Sequence, residues 1–104
     1  MDLSVSASRS GDTTRLSLTG EVDLSTVDAL QEEIAASVEA EDVASLIIDL
    51  SGVTFLDSSG ISALLKGRRL ADDRQKTFRV EAARDMVREV LNITGVWEHL
   101  AGRP

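Results

Sequence analysis

Residues 46–61 read Leu46-Ile47-Ile48-Asp49-Leu50-Ser51-Gly52-Val53-Thr54-Phe55-Leu56-Asp57-Ser58-Ser59-Gly60-Ile61, and they set the fold class. The first five residues are short, branched and nearly all apolar, as in a central strand covered on both faces. Residues 51–57 read as a loop. Beyond it, Ile61, Leu64, Leu65 and Leu70 recur at helical spacing, with Lys66, Arg68, Arg69 and Arg74 on or near the polar side. Strand, loop and helix thus follow one another without a linker.

Upstream, Leu3, Val5 and Ala7 alternate with Ser4, Ser6 and Ser8, the period of a half-buried strand. Turn residues Ser10-Gly11-Asp12 follow, and Arg15-Leu16-Ser17-Leu18-Thr19 resumes the alternation, so a β-hairpin opens the chain. After Gly20-Glu21-Val22-Asp23-Leu24, an apolar stripe of Val27, Leu30, Ile34 and Val38 marks a helix, with Ser25 or Thr26 as its N-cap. Downstream, residues 77–82 read as a strand with Phe78, Val80 and Ala82 on one face. Met86, Val87, Val90 and Leu91 mark a third amphipathic helix. Gly67, inside the second helix, is expected to serve close packing, Trp97 to close one end of the core, and the final residues to fray. The order β-β-α-β-α-β-α predicts one α/β domain over residues 1–104. Its sheet is mixed but mostly parallel, starts with a hairpin, and packs about three to four helices through right-handed crossovers.

Composition narrows the function classes. A hydrophobic fraction of 42%, a charged fraction of 28% and a net charge of −7 describe a folded acidic domain. Such a surface is a poor match for nucleic acid or an anionic membrane, so neither is an expected partner. Without cysteine there is no disulfide or thiolate chemistry. The N-terminus lacks the apolar core of a secretory signal and no run is long enough to span a bilayer, which predicts a cytoplasmic protein. Enzymatic roles are disfavoured. The sole histidine, His99, lies in the tail, and Ser58 lacks a nucleophile elbow. The acidic pairs Asp72-Asp73 and Glu41-Asp42 read as solvated turns, and no glycine-rich phosphate loop is present. No cofactor is expected.

Functional loops of parallel sheets gather beyond the carboxyl ends of the strands. Two loops, residues 20–24 and 51–58, leave such ends, so parallel parent strands would bring Asp23 and Ser58 together. By itself Asp57-Ser58-Ser59-Gly60 is a helix cap. A phosphate there would add about −1.5 to −2 charge at a helix N-terminus able to hold it. At an interface, that charge would meet repulsion from Glu21 and Asp23.

Four segments at these spacings resemble the landmarks of STAS-domain anti-sigma factor antagonists. They are Leu18-Thr19-Gly20-Glu21-Val22-Asp23, Ile48-Asp49-Leu50, Phe55-Leu56-Asp57-Ser58-Ser59-Gly60-Ile61 and Ile93-Thr94-Gly95-Val96. The resemblance implies partner switching. The unphosphorylated antagonist binds an anti-sigma factor, commonly a serine kinase of the histidine-kinase-like ATPase fold, and a target is released. Phosphorylation of the serine after the motif aspartate blocks binding, and a metal-dependent serine phosphatase reverses it. That serine maps onto Ser58, with Ser59 second; Glu21, Asp23, Asp57, Gly60 and Ile61 join them in the implied partner surface. The same resemblance carries an alternative, a STAS-type accessory subunit of a lipid-transport ABC system. One departure stands out: the turn at Asp72-Asp73-Arg74-Gln75-Lys76 lacks the glycine often found there.

Overall fold

A computed structural model describes residues 2–95 and residue 100. Strands β1 (Leu3–Ser10) and β2 (Thr13–Val22) form the opening antiparallel hairpin. Helix α1 (Val27–Glu39), strand β3 (Ser45–Leu56), helix α2 (Ser58–Asp73), strand β4 (Thr77–Glu81) and helix α3 (Asp85–Ile93) follow. The sheet order is β1-β2-β3-β4, and β2, β3 and β4 run parallel. The expected α/β class and element order are those observed.

Alternation decides which face is buried. Leu16 and Leu18 of β2, Leu46, Ile48 and Leu50 of β3, and Phe78 and Val80 of β4 all point one way into a single core. Leu30, Ile34 and Val38 of α1, Ala63, Leu64 and Ala71 of α2, and Val87 and Leu91 of α3 complete it. The other face is different. Arg15 reaches Asp49 at 3.3 Å and Glu81 at 2.9 Å, Arg79 also pairs with Glu81, and Ile47 is half-buried among them. Strand β3 is therefore covered on one face, not on both as its apolar run suggested. The cause is topological. Two successive crossovers advance in one direction, β2 to β3 to β4, and with the right hand that such connections take they place α1 and α2 on the same side of the sheet.

Four local readings change with the structure. Residues 51–56 belong to β3 rather than to a loop. Its pairing to β2 slips between Ser17 and Thr19 and again between Gly20 and Glu21, so β3 carries an extra residue at each irregularity. Strand β4 ends at Glu81: Ala82 turns to φ 62° and is exposed, and Ala83 enters the core in its place. Met86 is 62% exposed rather than part of the α3 stripe. Ala7 lies exposed on the edge strand, while Leu3 and Val5 pack partly against the core.

Two glycine-related expectations resolve in physical terms. A Cβ on Gly67 would lie 2.9 Å from Phe78 Cε2 and 3.0 Å from Ile34 Cγ2, so its absence lets α2 settle against α1 and β4. In the glycine-free turn after α2, Gln75 itself takes the left-handed conformation, at φ 58°. Trp97, His99 and residues 101–104 lie outside the described residues.

Candidate functional site

Strands β2 and β3 end side by side, with Val22 paired to Leu56. Each strand is followed directly by an aspartate, and each aspartate builds the same turn. Asp23 Oδ1 accepts from the Ser25 N–H at 2.9 Å and from the Ser25 hydroxyl at 2.6 Å. Asp57 Oδ1 accepts from the Ser59 N–H at 2.9 Å, from the Ser59 hydroxyl, and from the Gly60 N–H at 3.2 Å. Aspartate is suited to this position because its short side chain bonds the backbone two residues on. The result is a pair of Asp-x-Ser turns at one edge of the sheet.

The two turns start different helices in different ways. Asp57 is the N-cap of α2 and satisfies donors the first turn would leave open. Its main-chain N–H donates to Val22 O at 3.2 Å, which ties the cap to the neighbouring strand. Before α1, Thr26 occupies the N-cap position without a capping side-chain bond. Its hydroxyl instead donates to Glu21 O at 2.9 Å and accepts from the Asp23 N–H at 3.0 Å, so Thr26 is buried as a brace for the turn.

The middle residue of each turn is turned outward. Leu24 is 80% exposed, and Ser58, the first residue of α2, is exposed as well. Ser58 makes no side-chain hydrogen bond among the described residues, whereas the Ser59 hydroxyl is held by Asp57. Gly60 is buried beneath them. A Cβ there would come 2.5 Å from Leu56 Cδ1 and 2.7 Å from Val22 Cγ1, so Gly60 lets the first turn of α2 sit on the strand ends. Ile61 is partly buried against the core, and Glu21 lies one step back on β2, in register with Phe55.

Electrostatics favour ionised carboxylates here. The Ser59 hydroxyl bond, helped by the Gly60 and Ser59 amides, holds the Asp57 carboxyl below the usual range. The Ser25 hydroxyl does the same for Asp23, with the Ser25 and Thr26 amides assisting. Asp23 acts on Asp57 through like charge, which places the two carboxylates within electrostatic reach. The edge is thus an exposed hydroxyl at a helix N-terminus, flanked by two anionic turns.

The expected proximity is observed for the two turns that follow β2 and β3, and Asp23, Asp57, Ser58, Ser59 and Gly60 share this edge. The apolar surroundings were not anticipated. Leu24, Phe55 at 38% and Met86 at 62% are the exposed large hydrophobic residues among those described. Phe55 and Met86 border one small cleft with Leu56, Val87 and Val90. The repeated Asp-x-Ser spacing at residues 23 and 57 was the available signal for Leu24.

Together, a hairpin-led parallel sheet and a serine-bearing turn after its third strand define a STAS domain. The chain belongs to this family: the family model described as "Mlab, STAS domain" matches residues 5–101. The anti-sigma-F factor antagonist RsfB of Mycobacterium tuberculosis (strain CDC 1551 / Oshkosh) is 37% identical over 81 residues, covering 78% of this chain. This chain's match spans 65% of that relative's length. The crystal structure of an anti-sigma factor antagonist from Mycobacterium paratuberculosis has a TM-score of 0.84 at 26% identity, covering 98% of this chain and 85% of that one. Unphosphorylated SpoIIAA shares the fold, with a TM-score of 0.80 at 20% identity over 97% of this chain and 88% of its own.

Proposed function

We propose that this STAS domain is an anti-sigma factor antagonist that switches partners through Ser58. In the unphosphorylated form it binds an anti-sigma factor that is also a serine kinase of the histidine-kinase-like ATPase fold, and the kinase's target is released. Phosphorylation of Ser58 blocks that binding, and a metal-dependent serine phosphatase restores it. The observation that carries the reading is the contrast between the two serines. Ser58 is exposed, while the Ser59 hydroxyl is engaged by Asp57. The similarity to RsfB and to the Mycobacterium paratuberculosis antagonist supports the same assignment.

The physical basis is charge. A phosphate on Ser58 meets the N–H groups and positive dipole end of α2, so the folded domain can carry it. The same group adds to the negative charge of Asp23 and Asp57 at the contact surface. A loss of about 3 kcal/mol there weakens a complex more than a hundredfold. Incubation with the cognate kinase and ATP, followed by mass spectrometry, should place phosphate on Ser58. Ser58→Ala should retain kinase binding and Ser58→Asp should weaken it. Equal affinity of the two variants, or phosphate on neither Ser58 nor Ser59, would overturn the reading. Co-purification with a membrane ABC transporter in place of a kinase would favour the accessory-subunit role.

A further inference from the structure

Away from the Ser58 edge, α1 and α2 enclose an open groove of about 420 Å³. Its floor and walls are Ile34 and Ala35 of α1 with Ala63, Gly67 and Leu70 of α2. The groove exists because small residues face one another where a helix pair is ordinarily filled by larger side chains. Gly67 is fixed by its approach to Phe78 and Ile34, and Ala35 across from it is half-buried.

The rim is chemically one-sided. Lys66 and Arg69 line it from α2, both exposed, and Gln31 lines it from α1. In a chain of net charge −7, these two cations belong to none of the ion pairs seen among the described residues. One carboxylate, Asp73, lines the groove, near the C-terminal end of α2. From Ala63 to Asp73 a helix advances about 15 Å, the length available along the groove.

We propose that this groove binds a free medium-chain monocarboxylate, its carboxylate paired with Lys66 and Arg69 and its alkyl chain laid along Ile34, Ala35, Ala63, Gly67 and Leu70. The volume lies within the range of small-molecule sites, which combine an apolar lining with a few placed polar groups. The cations select a negative head, and an apolar lining with no further cation disfavours a second one. The ligand is therefore a monoanion with an apolar tail.

Decanoate, titrated below its micellar concentration into the intact domain, is the direct probe, read by amide chemical shifts. Saturable shifts should cluster at Gln31, Ala35, Lys66, Gly67 and Leu70. Decanol and decanedioate should each bind more weakly than decanoate. The double variant Lys66→Ala/Arg69→Ala, confined to exposed positions, should weaken binding by about fivefold or more. Ala35→Phe, which fills the groove, should abolish it. The proposal is overturned by the absence of saturable shifts in the groove, by equal affinity for decanol, or by undiminished binding to the double variant. Binding seen only with phosphatidylglycerol vesicles, and not with free decanoate, overturns it as well.

Discussion

Asp57 and Asp23 perform the same local task, yet what they display differs: a hydroxyl at Ser58 and an isobutyl group at Leu24. An exposed leucine beside a proposed switch is a candidate anchor, because apolar side chains that become fully desolvated carry much of an interface's energy. Leu24→Ala should weaken binding to the proposed kinase partner by about tenfold, a loss near 1.4 kcal/mol. Since Leu24 is 80% exposed, its thermal unfolding should match that of the parent domain. Affinity unchanged in a titration calorimeter would exclude Leu24 from the contact. Ser58 was legible through the family resemblance that residues 55–61 carry, since Asp57-Ser58-Ser59-Gly60 by itself reads as a helix cap. For Leu24 the repeated Asp-x-Ser spacing was the sole signal, and a leucine ahead of an amphipathic helix is equally consistent with burial.

At the scale of elements, β3 shows how a regular rule fails beside the candidate site. Period-two alternation located residues 46–50 but lost residues 51–56, because each irregularity shifts the side chains that follow to the opposite face. Gly52 added to the impression of a turn. It is instead a close approach, where a Cβ would lie 2.7 Å from Leu18 O. Helices were more legible because burial of one stripe repeats over several turns. Their packing depth was less so, since α2 buries Gly60, Ala63 and Gly67 as well as Leu64. Gly67→Ala tests that depth. Alanine favours a helix by up to about 1 kcal/mol. Overpacking against Phe78 and Ile34 costs about 1–3 kcal/mol, so net destabilisation of about 1 kcal/mol is expected as a lower urea midpoint. A midpoint at or above that of the parent would show that Phe78 and Ile34 yield without strain.

Across the whole molecule, the open sheet face links β2, β3 and β4 through Arg15, Asp49 and Glu81. Burial alone would raise both carboxyl pKa values. For Asp49 the Ser51 amide and hydroxyl with Arg15 outweigh it, and for Glu81 Arg15 and Arg79 do, so both lie below their ordinary values. Groups depressed in the folded state stabilise it above their unfolded pKa, and that contribution disappears as pH falls through the folded values. Stability should therefore decline on acidification below about pH 4. Arg15→Met should cost about 1 kcal/mol at neutral pH and flatten that decline, as measured by urea unfolding at a series of pH values. An unaltered pH profile in the variant would show that the network contributes nothing to acid sensitivity. Charge on this face was visible in the sequence residue by residue, but its convergence depends on parallel register and could not be read locally. The cap at Asp57 has a broader consequence. Its bonds reach residues 59 and 60 and leave the side chain of residue 58 outside the scaffold. In the proposed switch the domain is rewritten at one position without being refolded, and a partner tells its two states apart by what is written there.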